Sequence, residues 1–188
     1  MLKPPSPDSY AEAISLFERA LAIDPRSAEA QSWLATALAD RVHVNMTGTA
    51  AADLARAEGL VGQALAASPG SPGAHFTKGQ ILRAEGHFAE AIPEYETVLK
   101  FDPNDAWALF ALAHCKLNAG SIDEVVPLVE RAIRLSPRDP NIGLMYFRIG
   151  EVHCCNHGSV RQSLGWKRHA APTRIIRSSM PSSPLHTA

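Results

Sequence analysis

Small and apolar residues recur along residues 73–137 with a period of 34 positions, and this recurrence predicts how the chain is organised. In the first copy the recurring positions hold Gly79, Gly86, Ala91, Tyr95, Val98 and Pro103. In the second copy they hold Ala113, Gly120, Val125, Val129, Ala132 and Pro137. A fixed period with small, large apolar and proline positions in a constant order is typical of repeat proteins, in which each unit buries its apolar face against the next.

Within each copy the apolar residues fall at helical spacing and predict two antiparallel helices. The pairs are expected at 73–85 with 88–100 and at 106–118 with 122–135. Gly86 and Gly120 suit the tight turn inside each pair, because glycine readily adopts the left-handed backbone that ends a helix.

The second helices carry two further local signals. Ser121–Glu124 fits a capping box, in which Ser and Glu satisfy amides at a helix start. Pro93 and Pro127 lie inside the predicted helices, where a proline outside the first turn costs about 3 kcal/mol or more. We therefore expect a late start or a bend near both prolines.

The flanking segments repeat parts of the same pattern. Ser9–Glu12 fits a capping box and predicts a helix that ends at Asp24, since the residue before a proline is pushed out of the helical region. Glu29–Arg41 and Ala51–Ala66 predict a pair whose period, from Pro25 to Pro69, is 44 residues. The ten extra residues are assigned to a turn at Val42–Thr49.

The periodicity divides the chain into a linker, an array and a tail. The linker is 1–8, and the array is 9–153; it comprises a half repeat 9–25, repeats 26–69, 70–103 and 104–137, and the first helix of a further repeat at 140–153. From Cys154 to Ala188 the apolar periodicity stops. The unpaired helices at both ends favour a piece cut from a longer array.

The recurring positions resemble the tetratricopeptide repeat family over residues 9 to about 153. Gly79, Ala91, Val98, Tyr95 and Pro103 match the family pattern, whereas His75, Lys78 and Ala113 stand where Trp, Leu and Gly are usual. The resemblance implies an all-α fold: an α-solenoid of antiparallel helix pairs in a right-handed superhelix, here with an irregular C-terminal tail.

Two phrases, Ala28–Ala35 and Glu90–Glu96, together with the 44-residue repeat, are similar to the repeat region of certain bacterial proteins. In those proteins a helical array follows a class III nucleotide cyclase or a transcription-regulatory domain. This resemblance implies that the chain is the scaffold half of such a parent.

The tail 154–188 suggests a different origin from the array. Shifting the reading frame by one base gives Leu-Leu for Cys154–Cys155, and makes small, large and small residues available at positions 162, 166 and 169. Those positions continue the repeat offsets. We hypothesise that the tail is a frameshifted version of the missing second helix, and a product of an inactive gene is then a third possibility.

The predicted first helices would line the concave face of such an array. On one of them Trp107, Phe110, His114 and Leu117 form a stripe, matched on the preceding one by Phe76, Gln80 and Arg83. The sequence predicts a partner-binding groove at Phe76, Gln80, Arg83, Trp107, Phe110, His114 and Leu117. The alternative is that Phe76 and Phe110 only pack between neighbouring repeats.

One subtype of the family binds a partner's C-terminal carboxylate with Lys, Asn and Arg at fixed groove positions. The corresponding residues here are Phe76, Thr77, Gln80, Phe110, Ala111 and His114. Binding of chaperone tails is therefore not expected.

Composition restricts the function further. The net charge of −1 gives no general attraction to nucleic acid or to anionic membranes, and the cations after Glu151 are too scattered to change that. No apolar run is long enough to span a bilayer, and the odd number of cysteines does not indicate a disulfide framework. These features predict a cytoplasmic protein.

Catalysis and cofactors find no support in the motifs. The sequence has no Gly-rich phosphate loop, no His-Glu-x-x-His and no Gly-x-Ser-x-Gly. Adjacent Cys154 and Cys155, next to His153, are poorly placed to share a tetrahedral metal ion, and Cys115 is expected to be a buried apolar residue. We expect neither an enzyme nor a metal or cofactor site.

The sequence thus predicts a scaffold that binds a peptide, a partner protein or an upstream domain of its own parent in the concave groove. The alternative is a non-catalytic remnant of a nucleotide cyclase or transcription regulator that has lost its effector domain.

Overall fold

The computed structural model describes residues 6–156, and this part of the chain is helical with no strand. The helices are α1 Pro7–Ile23, α2 Ala28–His43, α3 Ala50–Ala67, α4 Pro72–Ala84, α5 Phe88–Phe101, α6 Ala106–Asn118, α7 Val125–Leu135 and α8 Ile142–Asn156. A short 3₁₀ helix, Ile122–Glu124, precedes α7.

The helices stack as an array of pairs. Each helix packs against the next along the chain, and α2, α4, α6 and α8 also contact one another in that order. These first helices form an inner layer, and α3, α5 and α7 lie behind them. The prediction of an all-α solenoid is confirmed.

The inner helices α2, α4 and α6 begin at equivalent polar caps. Ser27, Ser71 and Asp105 adopt an extended backbone, and each side chain accepts a hydrogen bond from the amide three residues later. The cap occupies one of the amides that a helix start leaves without a partner. The short cap residue therefore fixes where each inner helix enters the array.

A left-handed residue ends each of these helices. Gly86 and Gly120 have φ of 82° and 89°, which confirms their predicted place in the turns. Asn45 takes the same role after α2 with φ 55°. After each of these residues, the next amide donates to a carbonyl of the last helical turn, and these bonds close the helix ends.

Two of the predicted helix caps are wrong. The cap of α1 is Ser6, with Ser9 as its reciprocal partner at the third helical position. Pro7 favours this earlier start, because its φ is already helical and its missing N–H is not needed there. The predicted linker is therefore helical at its last two residues. Ser121 makes no side-chain cap, and the 3₁₀ turn takes the place of the capping box.

The two repeated prolines differ in their effect. Before Pro127 the late start is confirmed, since α7 begins at Val125 after the 3₁₀ turn. At Pro93 a late start is wrong: α5 begins at Phe88 and contains the proline. The amide of Ala91 already donates to the His87 carbonyl at 3.1 Å, so the first turn of α5 closes ahead of the proline.

The extra residues of the 44-residue unit do not all lie in the turn. Helix α2 has 16 residues against 13 in α4, and α3 has 18 against 14 in α5. The turn at residues 44–49 takes only the remainder. Asp53 holds this turn, since it accepts hydrogen bonds from Thr47 at 2.8 Å and from Arg41 Nε at 2.7 Å.

The departures from the family pattern at His75 and Lys78 form one polar cluster. Glu94 of α5 contacts His75 Nδ1 at 2.7 Å and Lys78 Nζ at 2.6 Å. The other ring nitrogen of His75 lies 3.0 Å from the Pro69 carbonyl oxygen. A shared carboxylate thus joins α4 to α5 through the two positions where the family pattern has Trp and Leu.

The core runs between the two layers. Cys115 is fully buried there, as predicted, and burial raises the pKa of its thiol to about 11. Gly79 faces the ring of Tyr95 so closely that an added Cβ would lie 2.8 Å from Tyr95 Cζ. Tyr95 can therefore fill the centre of the pair α4/α5 only because its partner has no side chain.

Helix α8 continues to Asn156, beyond the predicted end at residue 153. The rest of the tail, with the frameshift hypothesis that concerns it, lies outside the described residues.

Candidate functional site

The inner helices enclose a concave groove of about 1010 Å³. Its walls come from α2, α4, α6 and α8, and Tyr10 of α1 joins them at one side. Side chains one helical turn apart on each inner helix face this space, so equivalent positions of successive repeats lie next to one another.

The structure brings together most of the predicted groove residues. The groove is lined by Phe76, Gln80, Arg83, Trp107, Phe110 and His114. Leu117 is instead a core residue, 5% exposed, packed with Ile122 and Val125. Leu117 follows Trp107 by ten residues. At 100° per residue, its side chain leaves the helix roughly 80° around the axis from that of Trp107 and therefore outside the groove face.

Packing and lining are not exclusive for the two phenylalanines. Phe76 meets the ring of Tyr95 edge-on at 5.7 Å, and Phe110 meets Trp107 edge-on at 6.0 Å. Phe110 is only 2% exposed. It therefore acts mainly as the support that holds Trp107 in the groove wall.

Sequence reasoning missed the contributions of α2 and α8. Helix α2 supplies Trp33, Asp40 and His43, and α8 supplies Leu144 and Arg148. The signal for α8 was present: Leu144 and Arg148 each lie 34 residues after a predicted groove residue, Phe110 and His114. The longer repeat hides α2, since its offset from α4 is not 34.

One end of the groove holds large apolar side chains that are open to solvent. Trp33 is 53% exposed, Trp107 40% and Leu144 48%, and all three line the groove. Indole rings combine a large apolar face with an N–H donor, which suits them to hold a partner at a surface. These three side chains provide the contact area that a bound segment would cover.

The opposite end has a chain of polar groups. Asp40 Oδ1 accepts from Gln80 Nε2 at 3.1 Å and from Arg83 Nη2 at 3.4 Å. Tyr95, buried behind the groove, donates its hydroxyl to Gln80 Oε1 at 2.6 Å. Burial raises the pKa of Asp40, and the Arg83 guanidinium opposes that shift. These hydrogen bonds link the core between α4 and α5 to the groove floor.

Two neutral imidazoles complete this end. The rings of His43 and His114 lie 5.3 Å apart, and Phe88 stacks on His114 at 5.8 Å. Burial, and then the nearby Arg83 and Arg148, lower the pKa of His43 to about 4 and that of His114 to about 3. Both rings are therefore uncharged near neutral pH.

The donor inventory fixes the tautomer of His114. Arg148 Nη2 lies 3.4 Å from His114 Nδ1. A guanidinium carries only donors, so Nδ1 must accept and the proton of the neutral ring lies on Nε2.

Neither a metal centre nor a membrane span emerges from the described helices. Within residues 6–156 no group of three His, Cys, Asp or Glu side chains is arranged to hold a metal ion. None of the helices in that range has the length and apolarity to cross a membrane.

Comparison with curated proteins finds one distant relative with a local match. The chain is 30% identical to Protein CTR9 homolog of Arabidopsis thaliana over 86 residues. That segment is 43% of this chain and 8% of the relative, so the likeness concerns a small part of a much longer protein.

Solved structures share the fold at low sequence identity. A thermophilic repeat protein of Thermus thermophilus, TTC0263, is 19% identical with a TM-score of 0.52, over 74% of this chain and 90% of that one. YrrB, described as having an unusual peptide-binding site, is 18% identical with a TM-score of 0.52, over 81% and 72%. MamA of Desulfovibrio magneticus RS-1 is 20% identical with a TM-score of 0.53, over 84% and 86%.

Family models identify the repeats directly. Two models, both described as Tetratricopeptide repeat, match residues 8–42 and 49–106 in one case and 82–146 in the other. Together they cover nearly all of the described helical array. The chain therefore belongs to the tetratricopeptide repeat family, whose members are generally non-catalytic scaffolds for protein interactions.

Proposed function

We propose that this scaffold binds a peptide segment of a partner protein in the concave groove and performs no chemistry. The observation that carries the proposal is the exposure of Trp33, Trp107 and Leu144 inside a concavity of about 1010 Å³. Exposed apolar side chains gathered in a concave surface are typical of interaction sites. Tryptophan is among the residues that contribute most to binding energy.

The form of the groove favours a peptide segment over a flat protein surface. Its walls are four helices in a row; its lining has exposed tryptophans at one end and a hydrogen-bonded group of polar side chains at the other. A segment lying across the inner helices would bury its apolar side chains against the tryptophans. Its polar groups would meet the side chains at the far end, which can set orientation and specificity.

The test uses the full chain and a random dodecapeptide library displayed on phage. We expect selected peptides to bind the wild type and to lose most of their affinity for a Trp33→Ala/Trp107→Ala variant. Phe101→Ala is the matched control, because Phe101 is 60% exposed on α5 and outside the groove lining. Circular dichroism verifies that the variants keep their helices.

Two outcomes decide the proposal. A shift of tryptophan emission to shorter wavelength on peptide binding, in the wild type and in Phe101→Ala alike, would support it. Selected peptides that bind the tryptophan variant as well as the wild type would overturn it.

We also propose that residues 26–69, 70–103 and 104–137 are the complete repeats. A cytoplasmic location and the lack of nucleic-acid partners stay predictions. The alternative, a remnant of a nucleotide cyclase or transcription regulator, gains nothing from the comparisons, since the family matches are to repeats alone.

A further inference from the structure

We propose that Arg83 and Arg148 form a subsite in the groove floor that receives the side-chain carboxylate of an Asp or Glu in the bound peptide. This inference rests on the proposed function and adds the chemistry of the partner: an acidic residue with apolar neighbours. Arg83 lies outside the repeat positions that the C-terminal carboxylate clamp uses, whereas Arg148, 34 residues after His114, lies at the equivalent of one of them. The subsite differs from that clamp in its ligand, which is a side-chain carboxylate within the bound segment.

The two guanidiniums come from different repeats and converge on the same end of the groove. Arg83 lies on α4 and Arg148 on α8, and both line the groove beside His114. The Arg83 side chain is 9% exposed and that of Arg148 is 12% exposed. Buried arginines normally have close acceptors for most of their N–H groups, because an unpaired buried donor is costly.

Neither arginine has such a set of acceptors among residues 6–156. Arg83 makes a single long contact, from Nη2 to Asp40 at 3.4 Å. Arg148 donates from Nη1 to Glu151 at 2.6 Å and from Nη2 to His114 at 3.4 Å. The Nε atom of each is buried without any hydrogen-bond partner in this part of the chain. Since a guanidinium has five N–H donors, donors exceed acceptors at this end of the groove.

An incoming carboxylate fits this excess. Its two oxygens match the planar donor fork of arginine, and such charge-assisted hydrogen bonds are stronger than neutral ones. A phosphate dianion fits less well, because Asp40 and Glu151 already place negative charge at the two arginines. The neutral His43 and His114 add no positive charge to attract a second anion.

The other charges of the groove orient the segment. Glu29 and Asp105 line the groove at the N-terminal ends of α2 and α6, on the side of the tryptophans. An acidic side chain would meet two carboxylates at that end. At the other end Asp40 and Glu151 use only part of the donors of the two guanidiniums, and these can bind a further carboxylate. The bound peptide is thus expected to place its acid toward Arg83 and Arg148 and its apolar side chains toward Trp33 and Trp107.

The test extends the same peptide selection with arginine variants of the full chain. We expect the selected peptides to be enriched in Asp or Glu, and their affinity to fall about tenfold or more in Arg83→Gln/Arg148→Gln. Arg134→Gln on the outer helix α7 is the matched control, since that side chain is 68% exposed. Replacing the peptide's acid by its amide should cost as much in the wild type and nothing in the double variant.

The outcomes separate the two proposals. Peptides that require the tryptophans but carry no excess of acid, or that bind the glutamine variant equally well, would overturn the subsite and leave the groove function intact. Peptides that do not require the tryptophans would overturn the groove function itself.

A second measurement needs no substitution and therefore does not depend on how a variant folds. Sodium acetate, with acetamide as the neutral control, is titrated into the wild-type chain while the Nε–Hε signals of Arg83 and Arg148 are followed by nitrogen-edited NMR. Movement of both signals with acetate alone supports the subsite. Signals that stay fixed at high millimolar acetate, or that move equally with acetamide, would overturn it.

Discussion

The units 70–103 and 104–137 follow the same pattern and yet connect core to groove in different ways. In the first, Gly79 makes room for Tyr95, and the tyrosine hydroxyl reaches forward to Gln80 in the groove floor. In the second, Ala113 and Val129 are both fully buried in an apolar cluster, and neither side chain has a polar group that could form a hydrogen bond toward the groove. The same small-plus-large arrangement thus carries a hydrogen bond in one unit and only packing in the other.

The residue after the small position, Gln80 in one unit and His114 in the other, shows the consequence of this difference. Gln80 is held from behind by Tyr95 and in front by Asp40. His114, its equivalent, is placed by its neighbours in the groove: it stacks on Phe88 and accepts from Arg148. The first unit therefore holds its groove residue from its own core as well as from α2, whereas the second holds His114 through side chains of α5 and α8.

The largest expected difference between the two positions is in their response to pH. An unfolded histidine has a pKa near 6.5, and in the fold His43 and His114 have values of about 4 and 3. Between these values the unfolded chain binds more protons, so the stabilising effect of the neutral rings is complete above pH 6.5 and is lost as pH falls toward 4. We expect the free energy of unfolding to fall by about 3 kcal/mol for the two histidines together. This is less than their full pKa shifts would give, because the groove is open to water.

Urea unfolding at pH 7, 5.5 and 4.5 measures this effect. The variant His43→Gln/His114→Gln, in which the second substitution gives unit 104–137 the Gln80 of unit 70–103, should lose most of the dependence. Asp40 acts in the opposite sense, because its raised pKa favours the fold as pH falls. A slope that survives the double substitution unchanged would show that other groups dominate.

The next largest effect concerns the pair Gly79 and Tyr95. Gly79→Ala places a methyl group 2.8 Å from Tyr95 Cζ, and the ring is buried and held by its hydroxyl. Overpacking of this kind costs about 1–3 kcal/mol, which outweighs the gain of about 1 kcal/mol that alanine brings to a helix. We expect a net loss of stability, measured by thermal or urea unfolding.

The decisive version repeats the substitution in a Tyr95→Val background, which copies the Ala113–Val129 pair. There the ring is gone, so Gly79→Ala should stabilise the chain. Ala113→Gly in the second unit is the comparison, and it should destabilise by about 1 kcal/mol. An effect of Gly79→Ala with the same sign in both backgrounds would contradict the account of the Gly79–Tyr95 contact.

The repeat pattern predicted the fold well because it is a local signal repeated along the chain. Small and large residues at fixed offsets specify helix pairs, and stacking pairs leaves one face of each inner helix in the groove. Spacing placed Trp107 and His114 on one face of their helix, and the family resemblance placed that face in the groove. Leu117 and Arg83 occupy equivalent positions, however, and only the longer arginine side chain reaches the groove.

The polar end of the groove could not be predicted from the sequence. Asp40, Arg83 and Arg148 come from three different repeats, and their proximity depends on how far each inner helix is rotated and shifted against the next. The longer unit 26–69 made this harder, since its extra residues are shared among α2, α3 and the turn. A period can place a residue on a face, but it does not show which charges meet across that face.

The smallest expected difference lies in the outer helices, where both units carry an exposed proline. Pro93 is interior to α5, so the Ala89 carbonyl lacks the amide donor that another residue would supply there. Pro127 falls in the first turn of α7, where a backbone amide has no helical acceptor in any case. Pro93→Ala should therefore stabilise the chain by about 1 kcal/mol, less than the full cost of an interior proline because proline also stiffens the unfolded chain. Pro127→Ala should be neutral or slightly destabilising in the same unfolding assay. Equal gains from both substitutions would mean that Pro127 also disturbs its helix. The 3₁₀ turn before α7 would then have a cause other than placing Pro127 where its missing amide is not needed.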